Sequence, residues 1–225
     1  MKRRHKYILF LNNRYRSRDD AFYLNLLRGR CPVAVDGGIK FFYRNRITPD
    51  ILIGDMDSMP QLPRRYLERI EIIKYPSIKN KTDSQLALEM ALARGAREIL
   101  ICGAVGGREI DHVMGNIMLL HIVNKYNQTG KAQVQAKITG PCETVFLVEN
   151  GTIHINGRRG DFVSVIPLED GVRVACGGME YKTPARPLKF GDTLTLRNRL
   201  AKSRAWIKID GSAILTAIAV SYPET

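Results

Sequence analysis

The chain reads as a two-part α/β protein. An N-terminal α/β domain on a mostly parallel sheet, residues 1–139, precedes an all-β sandwich domain, residues 140–225. Three observations predict this. Before residue 139, short runs of Ile, Leu and Val alternate with helix-period stretches. After residue 140 the helical period disappears, leaving short apolar runs punctuated by Gly, Pro and Asp. A length of 225 residues, 44% hydrophobic and 25% charged, is enough to bury a real core.

In the first half, "YILFL" (7–11), "VAV" (33–35), "ILI" (51–53), "IEII" (70–73) and "EILIC" (98–102) read as strands. Between them "TDSQLALEMALARGA" reads as a helix with Leu86, Met90 and Ala93 on one stripe and Gly95 at its stop. "DHVMGNIMLLHIVNKY" is a second helix. Strands alternating with helices imply a parallel sheet covered on both faces. In the second half, "ETVFLVENGTIHING" reads as two strands turning at Asn150-Gly151. "FVSVIPL", "GVRVACGG", "DTLTLRN", "AWIKIDG" and "ILTAIAV" follow as further strands.

Composition narrows the function classes. Four unevenly spaced cysteines with no Cys-x-x-Cys pair exclude a zinc knuckle or redox motif and read as reduced, buried thiols. The apolar part of "MKRRHKYILFLNNRYR" is too short for export, and "AILTAIAV" (213–220) is far below membrane-spanning length. A cytoplasmic protein with no membrane partner is the expectation. The net charge is +13, and residues 1–46 carry twelve basic side chains against three acids. Such a field attracts polyanions. The bases are scattered, however, without interleaved aromatics or a helix-turn-helix, which argues against a nucleic-acid partner.

Against that basic background, acids gather where strands end. Ligands of open parallel sheets bind beyond the carboxyl ends of the strands. Asp36 follows one strand, with Gly37 behind it to let backbone approach a ligand. Asp55, Asp57 and Ser58 follow another, and Thr82 and Asp83 open a helix. Arg108, Asp111 and His112 follow a further strand. Each has a plainer reading. Thr82 with Gln85 makes a capping box, Asp83 complements a helix dipole, Asp111 caps the next helix, and His112 is a surface residue. Asp55 and Asp57 resist this best, since two like charges so close need a cation. Mg²⁺, held by one or two carboxylates together with substrate phosphates, fits. Walker, dinucleotide-binding, kinase-loop, Gly-x-Ser-x-Gly and His-Glu-x-x-His motifs are all missing.

The ordered set "VDGG", "PDILIGDMDS", "KTDSQLAL", "GAVGGREIDHVMGN" and a β-rich end with "SVIPL" resembles the thiamine pyrophosphokinase family over nearly the whole chain. The resemblance implies an ATP- and Mg²⁺-binding α/β catalytic domain, a thiamine-binding β-sandwich domain, and a homodimer with its site at the interface. It implies transfer of pyrophosphate from ATP to the thiamine hydroxyl, leaving AMP. Carried over by position, Asp55, Asp57 and Asp83 match the metal-holding acids. Asp36, Gly37, Ser58, Thr82, Arg108 and Asp111 match residues around ATP and its phosphates. Two features depart from the family pattern: one extra residue between Arg108 and Asp111, and Arg197-Asn198 where the family has a Ser-Asn turn in its thiamine pocket. Tyr181 and Asn198 are the candidates there, with Trp206 as an alternative aromatic that also suits a sandwich core. Two other functions stay open: pyrophosphoryl transfer to another alcohol such as a pterin, and a non-catalytic basic nucleotide- or RNA-binding module.

Overall fold

The structure is a computed structural model that describes residues 5–107, 109–182 and 184–218. The chain divides into two compact units, Met1–Pro141 and Cys142–Thr225.

The first unit runs β1 (Lys6–Phe10), α1 (Asp20–Leu26), β2 (Cys31–Val35), α2 (Ile39–Arg44), β3 (Ile51–Gly54), α3 (Arg64–Leu67), β4 (Glu71–Lys74), α4 (Asp83–Ala93), β5 (Glu98–Cys102), α5 (Ile110–Gln128) and β6 (Gln135–Thr139). Its strands pair in parallel in the order β6-β5-β1-β2-β3-β4. Side chains alternate across a strand, so β1 feeds two cores. Ile8 and Phe10 enter an aromatic cluster with Tyr15, Tyr23, Phe41 and Phe42, under α1 and α2. Phe10 stacks on Phe41 at 4.6 Å and meets Phe42 edge-on at 4.8 Å. Leu9 is buried on the alternate face, and α4 packs against β1, β2 and β3.

The phase of α4 differs from the expected stripe. Its buried residues are Ala87, Leu88, Ala91 and Leu92, whereas Leu86 and Met90 are half-buried and Ala93 is exposed. Alanines at 87 and 91 let the helix lie close to the strands, so side-chain size, not greasiness, sets the inward face. Truncating the fully buried Leu88 to Ala should cost about 2–5 kcal/mol. Both ends of α4 follow their local chemistry. Thr82 Oγ1 accepts the Gln85 N–H at 3.2 Å, while Gln85's side chain bonds Glu89 instead of closing the capping box. Gly95, at φ +82, terminates the helix, with Ala96 N–H reaching back to Ala91 C=O. The short α1, α2 and α3 show no period in so few residues. The polar sequence QAKIT of β6 becomes a strand through its pairing with β5.

The second unit is antiparallel: β7 (Glu143–Asn156), β8 (Phe162–Pro167), β9 (Arg173–Gly177), β10 (Asn198–Arg199) and β11 (Arg204–Ile218). No helix occurs among its described residues. β11 pairs with β7 along its length, with β9 through its first half and with β8 through its second; β10 pairs antiparallel with β8. Val148, Val165, Val172, Leu188, Ile207 and Leu215 lie in its core.

Three expectations are corrected here. Asn150-Gly151 does not turn a hairpin. Asn150 sits at φ +45 inside the continuous β7 and its Oδ1 accepts the Gly211 N–H at 2.8 Å. The register shifts there, two β11 residues facing one of β7, which is a bulge. "AWIKIDG" and "ILTAIAV" are correspondingly one strand, bent at Gly211. "DTLTLRN" forms turns up to Arg197, and only Asn198–Arg199 is strand. Of the four cysteines only Cys31 and Cys102 are buried; Cys142 and Cys176 are half-buried.

Candidate active site

The carboxyl ends of the parallel strands open into a cleft of about 950 Å³. Its wall takes Asn12 and Asn13 after β1, Asp36 after β2, and Asp55, Asp57 and Ser58 after β3. Lys79, Lys81, Thr82 and Asp83 come from the approach to α4, and Gly103 and Ala104 follow β5. The backbone is shaped to bring these acids together. Asp36 sits at φ +47 and Met56 at φ +70, both left-handed. Gly54, at φ +145, sits so close to the acids that a Cβ would lie 3.1 Å from Asp36 Cβ and 3.3 Å from Asp83 Cγ.

One carboxylate oxygen each from Asp36, Asp55 and Asp57 lies within 4.8 Å of the others. Asp36 is buried and accepts long bonds of 3.4 Å from Asn12 Nδ2 and from the Ser58 N–H. Ser58 Oγ donates to Asp57 at 3.1 Å. Lys79 Nζ donates to Asp55 Oδ2 at 2.9 Å and lies 3.2 Å from Asp83 Oδ1. The latter contact is within ion-pair reach but outside hydrogen-bond geometry, so that buried Asp83 oxygen has no hydrogen-bond donor among the described residues. Bonding from Lys79 holds the Asp55 carboxyl below its ordinary pKa. Burial pushes Asp83 up, opposed by Lys79 and reinforced by the neighbouring Asp55 and Asp36 charges. Burial works against the Lys79 charge, yet Asp55 and Asp83 together raise its pKa. The repulsion between the acids is therefore partly met by a lysine. The remaining donors, all carboxylate oxygens with one unbonded, suit a hard, oxygen-seeking divalent cation.

Six of the residues singled out from sequence meet here: Asp36, Asp55, Asp57, Ser58, Thr82 and Asp83. Gly37 does not line the cleft. A Cβ on it would lie 2.1 Å from Asn12 Oδ1, so its role is to admit Asn12 beside Asp36. Asp111 is exposed on the first turn of α5, where it accepts the His112 N–H at 2.9 Å, and is not on the cleft wall. It does not cap α5 either, since Glu109 holds the N-cap position. His112 reaches the wall while remaining exposed. Arg108 lies outside the described residues. Lys79, Asn12, Asn13 and Asn116 escaped the sequence reading. For Lys79 a signal existed, its i,i+4 spacing to Asp83. The asparagines carry none, because their contacts join distant segments: Asn13 Nδ2 bonds Gly103 C=O at 2.8 Å and Val105 C=O at 3.0 Å, and Asn116 Nδ2 bonds Ala104 C=O at 3.3 Å.

The second unit has a cavity of its own, about 340 Å³, with Val165, Val174, Ile207, Met179, Tyr181 and Asn198 on its wall. Tyr181 is 63% exposed. Asn198 is occupied in positioning it, accepting the Tyr181 N–H at 3.0 Å and donating to the Tyr181 C=O at 3.2 Å. Arg197 is not on this wall: its guanidinium lies 3.8 Å from the Phe162 ring centroid. Trp206 is not core but half-exposed, lying over Gly177 of the paired strand.

Residues 26–132 match the model of the thiamin pyrophosphokinase catalytic domain. The chain is thus similar to the thiamine pyrophosphokinases in sequence and in fold. Asp36, the Asp55–Ser58 turn and the Thr82-Asp83 helix start all fall inside the matched segment. A thiamine pyrophosphokinase of Bacillus subtilis is 28% identical over 176 residues, 76% of this chain and 79% of the relative. The crystal structure of thiamine pyrophosphokinase from Bacillus subtilis superposes with a TM-score of 0.78 at 25% identity, covering 96% of this chain and all of that one. The thiamin pyrophosphokinase of Candida albicans has the same fold at 16% identity, with a TM-score of 0.77 over 96% of this chain and 89% of its own.

Proposed function

We propose that the chain is an ATP-dependent thiamine diphosphokinase, moving the terminal pyrophosphoryl group of ATP to the hydroxyl of thiamine and releasing AMP. One observation carries the reading: the convergence of Asp36, Asp55 and Asp57 oxygens within 4.8 Å, inside the segment that matches the family's catalytic domain. Asp55, Asp57 and Asp83 would hold Mg²⁺, which when bound neutralises phosphate charge and polarises the transferred group. Lys79 keeps Asp55 ionised, and Ser58 and Thr82 offer hydroxyls on the same wall. In the transfer, the thiamine hydroxyl oxygen bonds to the β-phosphorus as its bond to the bridging oxygen breaks. AMP keeps that oxygen, and the hydroxyl proton is released. Arg108, Gly37 and Asp111 join the ATP-handling set on the family resemblance alone.

On this reading an N-terminal domain, residues 1–139, serves as the ATP- and Mg²⁺-binding domain, and residues 140–225 as a β-sandwich that takes thiamine. The second unit's cavity supports this, with apolar walls and the exposed Tyr181 ring to face an aromatic cation. The stacked position of Arg197 on Phe162 keeps its guanidinium off that wall, leaving Lys182 as the cation that lines it. On the resemblance, the working form is a cytoplasmic homodimer with each site shared between chains. No described helix is long and apolar enough to cross a membrane.

Incubation with Mg·ATP and a panel of alcohols, including thiamine and a pterin, should yield AMP and thiamine diphosphate alone. Product from the pterin only would move the acceptor, and no product from any alcohol would remove the activity. Sharing between chains is checked by re-associating Asp57→Asn and Tyr181→Ala chains. Mixed dimers should regain activity that both parents lack; a mixture as inactive as its parents places the site within one chain.

A further inference from the structure

A second cleft, of about 840 Å³, lies in the first unit among Tyr43, Arg44, Arg46, Arg65, Tyr66 and Arg69. It borders the turn after α2, just ahead of β3, and α3, just ahead of β4. That places it at the amino ends of these parallel strands, whereas the acid-lined cleft lies at their carboxyl ends. Four arginines and no carboxylate form its wall. Arg44 is committed to Asp20 and to the Tyr15 C=O. Nearby Glu68 is taken by Arg64, which is not on the wall. Arg46, Arg65 and Arg69 are exposed and have no carboxylate partner among the described residues. Three guanidiniums line one space, a concentration of positive charge that attracts anions.

Two further features point to a ligand. The turn that ends α2 is a Schellman motif: Arg46 N–H bonds Tyr43 C=O and Ile47 N–H bonds Phe42 C=O. The left-handed residue in that motif is usually glycine, yet here it is Arg46 at φ +56. A strained backbone thus holds a guanidinium at the cleft, the kind of outlier that marks a functional position. The aromatic pair is fixed in turn. Tyr66 Oη donates to the Ile47 C=O at 2.6 Å, and Tyr43 meets Tyr66 edge-on at 5.2 Å. Tyr43 remains 43% exposed, leaving ring surface for a flat group.

We propose that this cleft binds a nucleoside polyphosphate, with Arg46, Arg65 and Arg69 on the phosphates and the Tyr43 ring against the base. Unlike the acid-lined cleft it needs no metal, because its own charges meet the phosphates directly. Titration of the full-length protein with a fluorescent ATP analogue in EDTA should therefore show saturable binding. Arg65→Glu/Arg69→Glu should weaken it at least about tenfold, the scale of losing charge-assisted contacts. Arg65→Gln/Arg69→Gln should weaken it less, which keeps the test valid if charge reversal harms folding. Tyr43→Ala should weaken the nucleotide but not inorganic triphosphate. In Mg²⁺, AMP formation at saturating substrates should be unchanged in all of these variants. Equal affinity in the wild type and both arginine variants overturns the proposal, as does an absence of metal-free binding. Equal affinity for triphosphate and nucleotide with no Tyr43 effect overturns the nucleotide assignment.

Discussion

The two clefts of the first unit sit at opposite ends of the same parallel strands and carry opposite charge. The carboxyl-end cleft gathers Asp36, Asp55, Asp57 and Asp83 and holds Lys79 within the cluster. The amino-end cleft gathers four arginines and no acid. A phosphate chain can meet the second unaided, but it meets the first only once the acids are neutralised. The difference teaches that net charge is a poor guide to local charge: in a chain of charge +13, the cleft at the carboxyl ends of the strands is the acidic one.

That contrast can be broken most severely at Asp57. Asp57→Asn removes one of the converging carboxylates, and kcat for AMP formation should fall on the order of a thousandfold, the scale of losing a major charge-stabilising group. Thermal melting should be unchanged or slightly higher, because like-charge repulsion is relieved. A variant that turns over at the wild-type rate in limiting Mg²⁺ removes Asp57 from the metal set.

Gly54→Ala comes next. It places a Cβ against Asp36 and Asp83 at a backbone angle that L residues rarely adopt. Stability should drop by about 1–3 kcal/mol, and activity per folded molecule by roughly tenfold or more. Denaturant melts beside initial rates separate the two effects, and unchanged kinetics would mean the acids tolerate displacement.

Lys79→Met tests whether the acidic cleft depends on its internal cation. The Asp55 pKa is lowered by folding, so this carboxylate contributes stability above its unfolded value near 3.8, lost as pH falls through the lower folded value. The Lys79 pKa is raised, so its contribution is full below 10.5 and lost as pH rises through the folded value. The wild type should thus exceed Lys79→Met in melting temperature between these limits, and the two should converge beyond each. A difference independent of pH would make Lys79 a packing residue only.

The smallest effect is expected at Thr82. Loss of its cap in Thr82→Ala should cost about 1 kcal/mol, and Thr82→Ser should be nearly silent. If Thr82→Ala also slows turnover where it remains folded, the hydroxyl meets a phosphate; equal specific activity leaves only the cap.

How much of this was legible beforehand depends on how far apart the participants lie. The Asp55–Ser58 turn and the capped start of α4 are local, so spacing and residue type announced them. Lys79 lies four residues before Asp83 and was readable in principle, but a lysine in a basic chain stands out little. Asp36 gained weight only from its place after a strand. Asp111 was ambiguous because an acid near a helix start suits a cap and a binding role equally, and only the tertiary structure shows it exposed on the first turn of α5.

The sequence by itself determined the parallel strands of the first unit, the helical or extended character of most segments, and the acids that gather at the strand ends. These follow from periodicity and strand-end chemistry, which act over a few residues. Tertiary structure decided the rest. It bent β7 and β11 at one shared bulge where Asn150-Gly151 looked like a hairpin, because pairing with the distant Asp210-Gly211 segment outweighs local turn preference. It chose the alanine face of α4 because close approach to the strands rewards small side chains. It also gathered Arg46, Arg65 and Arg69, scattered in sequence, around one cleft, because electrostatic neighbourhoods form only when distant segments are packed side by side.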